Sequence, residues 1–291
     1  MAKGRELKGR IKSVENTRKI TRTMEMVATS KMKRAQDRVV SARPYALALA
    51  DVISSLYSPE LAERFPLLRQ PAEPRRVALI VLTSNRGLAG GFNANLIKAA
   101  RVQIAEIEKA GTKVEVHVIG KKGIGYFKYV GRELASQRID VTDRPTAENA
   151  SEIVDALMAE YIAGDLDGVY VTYAKFVSAL SAPPTTERIL PVTPPAAKEG
   201  EGSGQRDYLL FPSAEAILTE LLPSYVRNAV YRALVETVAG EQSARRTAMK
   251  NATDNAGDIL NVLRRTYNRA RQAQITQEIA EIVGGAAALQ G

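Results

Sequence analysis

The stretch Ala35-Gln-Asp-Arg-Val39-Val-Ser-Ala42-Arg-Pro44-Tyr-Ala46-Leu-Ala-Leu49-Ala-Asp-Val-Ile53-Ser-Ser-Leu56 decides the architecture. Ala35, Val39, Ala42, Ala46, Leu49, Ile53 and Leu56 recur at alternating intervals of four and three. That spacing keeps one apolar seam of a helix turned towards a partner helix. Nearer the N-terminus, Leu7, Ile11 and Val14 keep the same intervals. Between the two sets the seam reads as impure: Met24, Val27 and Met32 belong to it, and Arg18, Thr21 and Lys31 interrupt it. Between residues 3 and 56 the only proline is Pro44, and no glycine follows Gly9. The heptad continues on both sides of Pro44, so this proline is expected to bend the helix rather than end it. At ~1.5 Å per residue the helix runs to roughly 80 Å, longer than a small domain is wide.

A second long helix is expected at the other end. Residues 214–222 are apolar with helical spacing, Pro223 interrupts them, and no proline follows between 224 and 283. The same rise gives roughly 90 Å. Ala252, Ala256, Ile259, Leu263, Thr266, Ala270 and Ala273 again alternate by four and three, and the many alanines let two helices approach closely. Two such helices at opposite chain ends pair most simply as antiparallel partners. The middle between them is of another kind. Val77-Ala-Leu-Ile-Val-Leu82 is a continuous apolar run, the mark of a strand buried on both faces. A helix over 93–110, a strand over 114–119, a helix over 147–163 and a strand over 168–173 follow. Strand and helix alternating predict a largely parallel sheet with covering helices. Arg188-Ile-Leu-Pro-Val192 is a candidate edge strand, where proline is tolerated.

The expected fold class is therefore α/β plus a long antiparallel α-helical coiled coil, with N- and C-terminal helices paired and a central Rossmann-like α/β domain. The divisions are 1–58 and 208–291 for the helices and 75–195 for the α/β domain, with linkers at 59–74 and 196–207. The first linker holds Pro66, Pro71 and Pro74; the second is rich in Gly, Ser and charge and reads as a mobile surface loop.

Composition narrows the chemistry. With 45% hydrophobic residues in 291, the chain can bury one or two sizeable cores. It has no cysteine, so neither disulfides nor thiolate chemistry are open to it. His117 is its one histidine, which speaks against zinc, and the lack of tryptophan speaks against a base-stacking platform. The N-terminus has no apolar core of a signal peptide, and no run suggests a membrane span. Residues 1–42 hold twelve Lys and Arg against four acids, so +8 of the net +9 sits in one segment. Such a segment suits nucleic acid, anionic lipid or an acidic protein surface.

Two glycine-rich turns follow strands. Thr83-Ser-Asn-Arg-Gly-Leu-Ala-Gly-Gly-Phe-Asn93 precedes a helix, where phosphate-cradling loops sit. The first has the spacing of neither a dinucleotide nor a Walker loop, so a tight structural turn accounts for it better, and Gly120-Lys-Lys-Gly-Ile-Gly125 lacks the Walker Ser or Thr, so nucleotide binding is not expected there. His117, alternating within an apolar strand, reads as a satisfied core histidine. Glu278 and Glu281 read as a solvated or partner-facing surface rather than an acid pair. Ile279, Ile282, Val283, Ala286, Ala287, Ala288 and Leu289 make the C-terminal tip apolar nearly all round, which marks an interaction site if nothing in the chain covers it. No nucleophile, base and orienting group assemble, so no catalytic residue, metal ligand or cofactor is expected.

Four segments resemble the gamma subunit of F-type ATP synthases. They are Ile11-Lys-Ser-Val-Glu-Asn-Thr-Arg-Lys-Ile-Thr-Arg-Thr-Met-Glu-Met-Val-Ala-Thr-Ser-Lys-Met32, Arg86-Gly-Leu-Ala-Gly-Gly-Phe-Asn93, Ala248-Met-Lys-Asn-Ala-Thr-Asp-Asn-Ala256, and Ala270-Arg-Gln-Ala-Gln-Ile-Thr-Gln-Glu-Ile-Ala-Glu-Ile-Val-Gly-Gly-Ala-Ala-Ala288. The likeness runs the whole chain. It departs at Asn85, where many members have aspartate, and at Ala89, where many have cysteine; the regulatory insertion of chloroplast members is absent. The resemblance implies a non-catalytic rotor shaft inside a ring of three alpha and three beta subunits, coupling ion-driven c-ring rotation to ATP synthesis or hydrolysis. It implies ring contacts at Met24, Arg245, Arg271, Gln272, Thr276 and Glu278. It implies a foot that includes Tyr208 and meets the c-ring and the epsilon subunit. The expected place is the cytoplasmic face of a bacterial inner membrane, held there by partners without a span of its own. The basic segment would then meet acidic loops of the beta subunits, leaving a nucleic-acid-binding coiled coil as the alternative.

Overall fold

The computed structural model of the chain describes residues 2–56, 64–193 and 213–288. They fall into two compact units, one of Thr29–Ala244 and one formed by Met1–Ala28 with Arg245–Gly291. The larger is built on a five-stranded sheet. In chain order the elements are helix α1 (Ala2–Leu56), strand β1 (Arg76–Leu82), helix α2 (Phe92–Lys109), strand β2 (Lys113–Ile119), helix α3 (Lys121–Tyr129), strand β3 (Ser136–Arg138), helix α4 (Ala147–Ala163), strands β4 (Gly168–Ala174) and β5 (Pro184–Leu190), and helix α5 (Ala214–Ala288).

The sheet order is β3-β2-β1-β4-β5, parallel throughout except for the antiparallel edge strand β5. β1 is its centre, and Val77 to Leu82 are all buried. Its alternate residues feed two cores, as the two-residue period of a strand requires. Val77, Leu79 and Val81 join Ala100 and Ile104 of α2, Val116 and Val118 of β2, and Phe127 of α3. Ala78, Ile80 and Leu82 join Leu157 and Tyr161 of α4, and also Ile53 of α1 and Leu218, Leu222 and Val226 of α5. The clean half of the N-terminal seam therefore closes a domain core, beyond merely pairing with another helix. α1 carries an 18-residue window with mean hydropathy 1.2, long and apolar enough by composition to cross a membrane. Leu49, Ile53 and Leu56 of α1 face the domain core, while 22% of that window is buried in all.

Local signals hold where they are strong. Thr146 and Asn149 form a reciprocal capping box at the start of α4, and Gly164 ends it at φ 87°, in the left-handed region glycine favours. Where they are weak, tertiary contacts decide. Pro223 does not interrupt α5, which runs unbroken from Ala214. An interior proline costs a helix about 3 kcal/mol, but Leu218, Leu222, Val226 and Val230 are all buried around it and hold the helix together. The edge strand begins at Pro184, four residues before the expected start. The first linker is not free chain: Pro66–Leu68 is a 3-10 turn whose Leu67 and Leu68 are buried. The Gly120 segment is the start of α3 rather than a loop. Gly120 has φ 102°, and a Cβ there would lie 2.2 Å from the Thr83 carbonyl oxygen, so glycine is required by contact.

In the smaller unit the two helices run antiparallel. The Thr21 hydroxyl meets that of Thr253, and Glu15 meets Arg264 at 2.6 Å, so residue numbers rise on one helix as they fall on the other. Met249, Thr253, Ala256 and Leu260 are buried, and Leu263, Tyr267, Ala270 and Gln274 continue the line half-buried. The expected seam is thus right at Ala256, Leu263 and Ala270 and one residue early at the alternate positions: Ile259 is 50% exposed, whereas Leu260 is 2% exposed. Apolar neighbours at 259 and 260 leave the period ambiguous, and only the partner helix decides. On α1, Thr21 is a buried member of the seam rather than an interruption, and Val27 is exposed.

Candidate partner-facing site

The glycine-rich loop after β1 lies beside a cavity of about 510 Å3 at the carboxyl ends of β1 and β2, with Arg86 and Lys121 in its wall. The first amides of α3, which border this cavity, are already used. Lys121 N–H donates to the Asn85 side-chain oxygen at 3.0 Å, Lys122 N–H to the Ser84 carbonyl at 3.2 Å, and Gly123 N–H to the Thr83 hydroxyl at 3.0 Å. Asn85 completes the lock by donating to the carbonyls of Ile139 and Val141, both at 3.0 Å. An aspartate could accept from Lys121 but could not make these two donations.

His117 meets Ser136, a neighbour the sequence did not suggest. The register of β2 and β3 places them opposite one another, with Nδ1 2.8 Å from the hydroxyl. Nε2 is buried with no partner among the described residues, so the histidine is only half-satisfied. Burial pushes its pKa down. Beside it, the Arg76 guanidinium bonds Glu115 through Nε and Nη2, both at 2.8 Å, and holds that carboxyl below its usual range. A serine and a histidine without a group to orient the ring do not make a nucleophile and base.

The residues implied as ring contacts divide by burial. Arg271, Gln272, Thr276 and Glu278 are exposed, Met24 is half-buried, and Arg245 is buried at 8% exposure. Tyr208 lies outside the described residues, as do Leu289 and the 196–207 segment. On α5, Thr276 donates to the Gln272 carbonyl at 3.0 Å, Gln274 to Glu278 at 2.8 Å, and Gln277 to Glu281 at 2.9 Å. The two glutamates are each tied to their own glutamine one turn back and form no acid pair. Ile275, Ile279, Ile282 and Val283 are 46–71% exposed. At about 100° per residue, Arg271, Gln272, Ile275, Ile279, Ile282 and Val283 share one half of the helix surface, away from the seam line of Tyr267, Ala270 and Gln274. An apolar row with polar residues along it is a surface made for a partner.

Reading by residue type missed part of this surface. Ile20 is 60% exposed and Val27 51%, and both fall on the side of α1 that carries Met24. The signal was available: counting strictly by four and three from Leu7 puts Thr21 and Ala28 in the seam and leaves Ile20, Met24 and Val27 out of it. Lys8, Lys12, Lys19 and Arg22 are exposed on the same segment, so apolar and basic side chains alternate over its surface.

Comparison with known proteins agrees with this layout. A family model described as ATP synthase matches residues 3–289. The ATP synthase gamma chain of Gemmatimonas aurantiaca is 70% identical over 291 residues, all of both chains. That of Psychrobacter cryohalolentis is 43% identical over 99% of this chain and 100% of its own. Among solved structures, a chain of the Euglena gracilis mitochondrial ATP synthase (OSCP/F1/c-ring) superposes with a TM-score of 0.69 at 20% identity, covering 99% of this chain and 95% of that one. A chain of the Tetrahymena thermophila central stalk and c-ring structure gives 0.62 at 23% identity, covering 80% and 99%.

Proposed function

Because the chain belongs to the ATP synthase gamma chain family, we propose that it turns as the shaft that couples c-ring rotation to ATP synthesis or hydrolysis in the ring of alpha and beta subunits. It is a subunit of the central stalk rather than the catalytic subunit, and part of the F1 sector, which is peripheral to the membrane. The observation that carries the shaft reading is the exposed row Ile275, Ile279, Ile282 and Val283, an apolar surface left open among the described residues.

On this reading Arg271, Gln272, Thr276 and Glu278 touch the alpha/beta ring directly, and Met24 does so together with Ile20 and Val27. Arg245, being buried, acts by holding the seam from within. Tyr208 and the α/β domain form the foot on the c-ring and the epsilon subunit, with the divisions 1–58, 75–195 and 208–291 as its working parts. The bacterial relatives support a place on the cytoplasmic face of the inner membrane. The basic N-terminal segment meets acidic protein rather than DNA or RNA; the comparisons lend the nucleic-acid alternative no support.

The mechanism is an allosteric one. A shaft that is different on each side touches three chemically identical sites unequally at any instant. It can shift the affinity of each only through contact energies that differ between their states. Co-expression with the alpha and beta subunits tests this. A stable complex whose multisite ATPase depends on this chain is expected; a ring fully active without it, with the chain purifying alone, would overturn the assignment.

A further inference from the structure

We propose that torque passes between the sheet domain and helix α5 through a partly buried polar joint at the carboxyl end of β4, made by Arg232, Glu236 and Thr237 with Glu187. The proposal rests on the shaft role above. All its residues lie in the larger unit.

The joint is built on backbone amides. Phe176 N–H donates to Glu236 Oε2 at 2.9 Å, and Ala174 N–H reaches the Thr237 hydroxyl at 3.4 Å; both contacts are buried. Arg232, one turn before Glu236, donates to Glu187 Oε2 on β5 at 2.9 Å. Glu187 Oε1 accepts from Tyr173 at 2.8 Å and from Lys175 at 3.1 Å. One network thus ties α5 to both strands at the edge of the sheet. Gly240 lets the helix lie close: a Cβ there would come within 3.0–3.3 Å of Ala182, Ala174 and Phe92. One turn further, the Ser243 hydroxyl bonds the Ala179 carbonyl.

The chemistry of the joint is costly for mere packing. Glu236 is 6% exposed, and burial pushes its carboxyl above the usual range. Arg232 Nε is buried without a hydrogen-bond partner among the described residues. Arg232 pairs with Glu187 at 2.9 Å and faces Glu236 at 3.9 Å, and such part-buried ion pairs are weak evidence for stability. What they give instead is fixed geometry. Apolar side chains can slide past one another with little change in buried area, whereas hydrogen bonds to strand amides are directional and fail within small angles. A helix gripped by Glu236, Thr237 and Arg232 cannot turn about its own axis against the sheet without breaking them. Because α5 continues unbroken to Ala288, a grip on residues 232–243 is a grip on the helix that bears the exposed apolar row.

The test uses the whole ATP synthase in inverted membrane vesicles, and the detached F1 complex for single molecules. The double variant E236A with T237V removes both acceptors; E236Q keeps a side-chain carbonyl for Phe176 N–H. The rotational fluctuation of a probe on an engineered cysteine in α2, read in stalled F1, should roughly double in variance in the double variant and return to the parent value in E236Q, as the lost and restored acceptor require. ATP hydrolysis should be kept, while the steady proton gradient it sustains falls. Parental stiffness and a parental gradient in an assembled double variant would overturn the proposal. So would equal losses of hydrolysis and pumping with unchanged stiffness, which mark a general packing defect. If the double variant fails to assemble, R232Q at the less buried rim carries the same expectation and the same refutation. A failure of the shaft reading looks different, because the probe on the parent protein would then not rotate at all.

Discussion

The two units bury their side chains by different rules. In the larger, a sheet with helices on both faces gives every inward residue neighbours on several sides, and Leu79, Ile80, Val169 and Val171 are wholly excluded from solvent. In the smaller, two helices share one line of contact, and that line is thin: Thr21, Ala28, Thr253 and Ala256 are small or polar members of it. The first kind of packing closes deep cores, although Tyr129 and Leu180 stay at its surface. The second leaves Ile20, Val27, Ile279 and Ile282 outside. A region that exposes this much apolar side chain while keeping its helices regular is completed by a partner.

The sharpest way to break the contrast is a charge in the larger core. Ile53→Asp places a carboxylate at a site 1% exposed, and it should cost more than about 4 kcal/mol, by lost burial plus an unpaired buried charge. Urea unfolding of the full chain followed by circular dichroism checks this. A loss below about 1 kcal/mol would mean that Ile53 is not packed as described.

A gentler test addresses the thin seam. The Thr253 hydroxyl lies 2.8 Å from that of Thr21 and 2.8 Å from the Met249 carbonyl, and Thr21 donates to the Arg18 carbonyl at 3.1 Å. Thr253→Val should cost about 1 kcal/mol, and the double variant T21V with T253V should cost less than the two single changes summed, since either one alone already breaks the shared bond. A double-mutant cycle measures the pair. Additive losses would show that the hydroxyls do not act on one another.

The smallest effect concerns pH. His117 has its pKa pushed below 6.5 by burial, so the folded chain binds its proton less readily than the unfolded chain does. Its contribution to stability is whole above 6.5 and is lost as the pH falls from there through the folded value. His117→Asn should flatten the stability–pH curve over that window while leaving the helical unit untouched. An unchanged slope would show that His117 does not carry the acid sensitivity in that window. The Glu115 carboxyl beside Arg76 is held low, so its contribution is lost only further down, as the pH drops below 4.5.

Much of this was legible in the residues themselves. Periodicity alone places both long helices, because a seam of four and three persists over many turns. The apolar run of Val77 to Leu82 marks the central strand, because burial on both faces leaves no room for polar alternation. Part of the exposed C-terminal row could be read as well, since Ile279, Ile282 and Val283 belong to a tip that is apolar nearly all round. The folded structure decided the rest. Adjacent apolar residues such as Ile259 and Leu260 fit either frame until the second helix selects one. Pro223 stays helical only because the core closes around it. Gly120 and Gly123 look like loop glycines and are instead the contact between α3 and Thr83. The joint at Glu236 has no signature in sequence at all, because its partners Ala174, Phe176 and Glu187 are distant in the chain and two of them contribute only a backbone amide. Local period is written in one segment, whereas register, close approach and buried polar pairing depend on which other segment arrives.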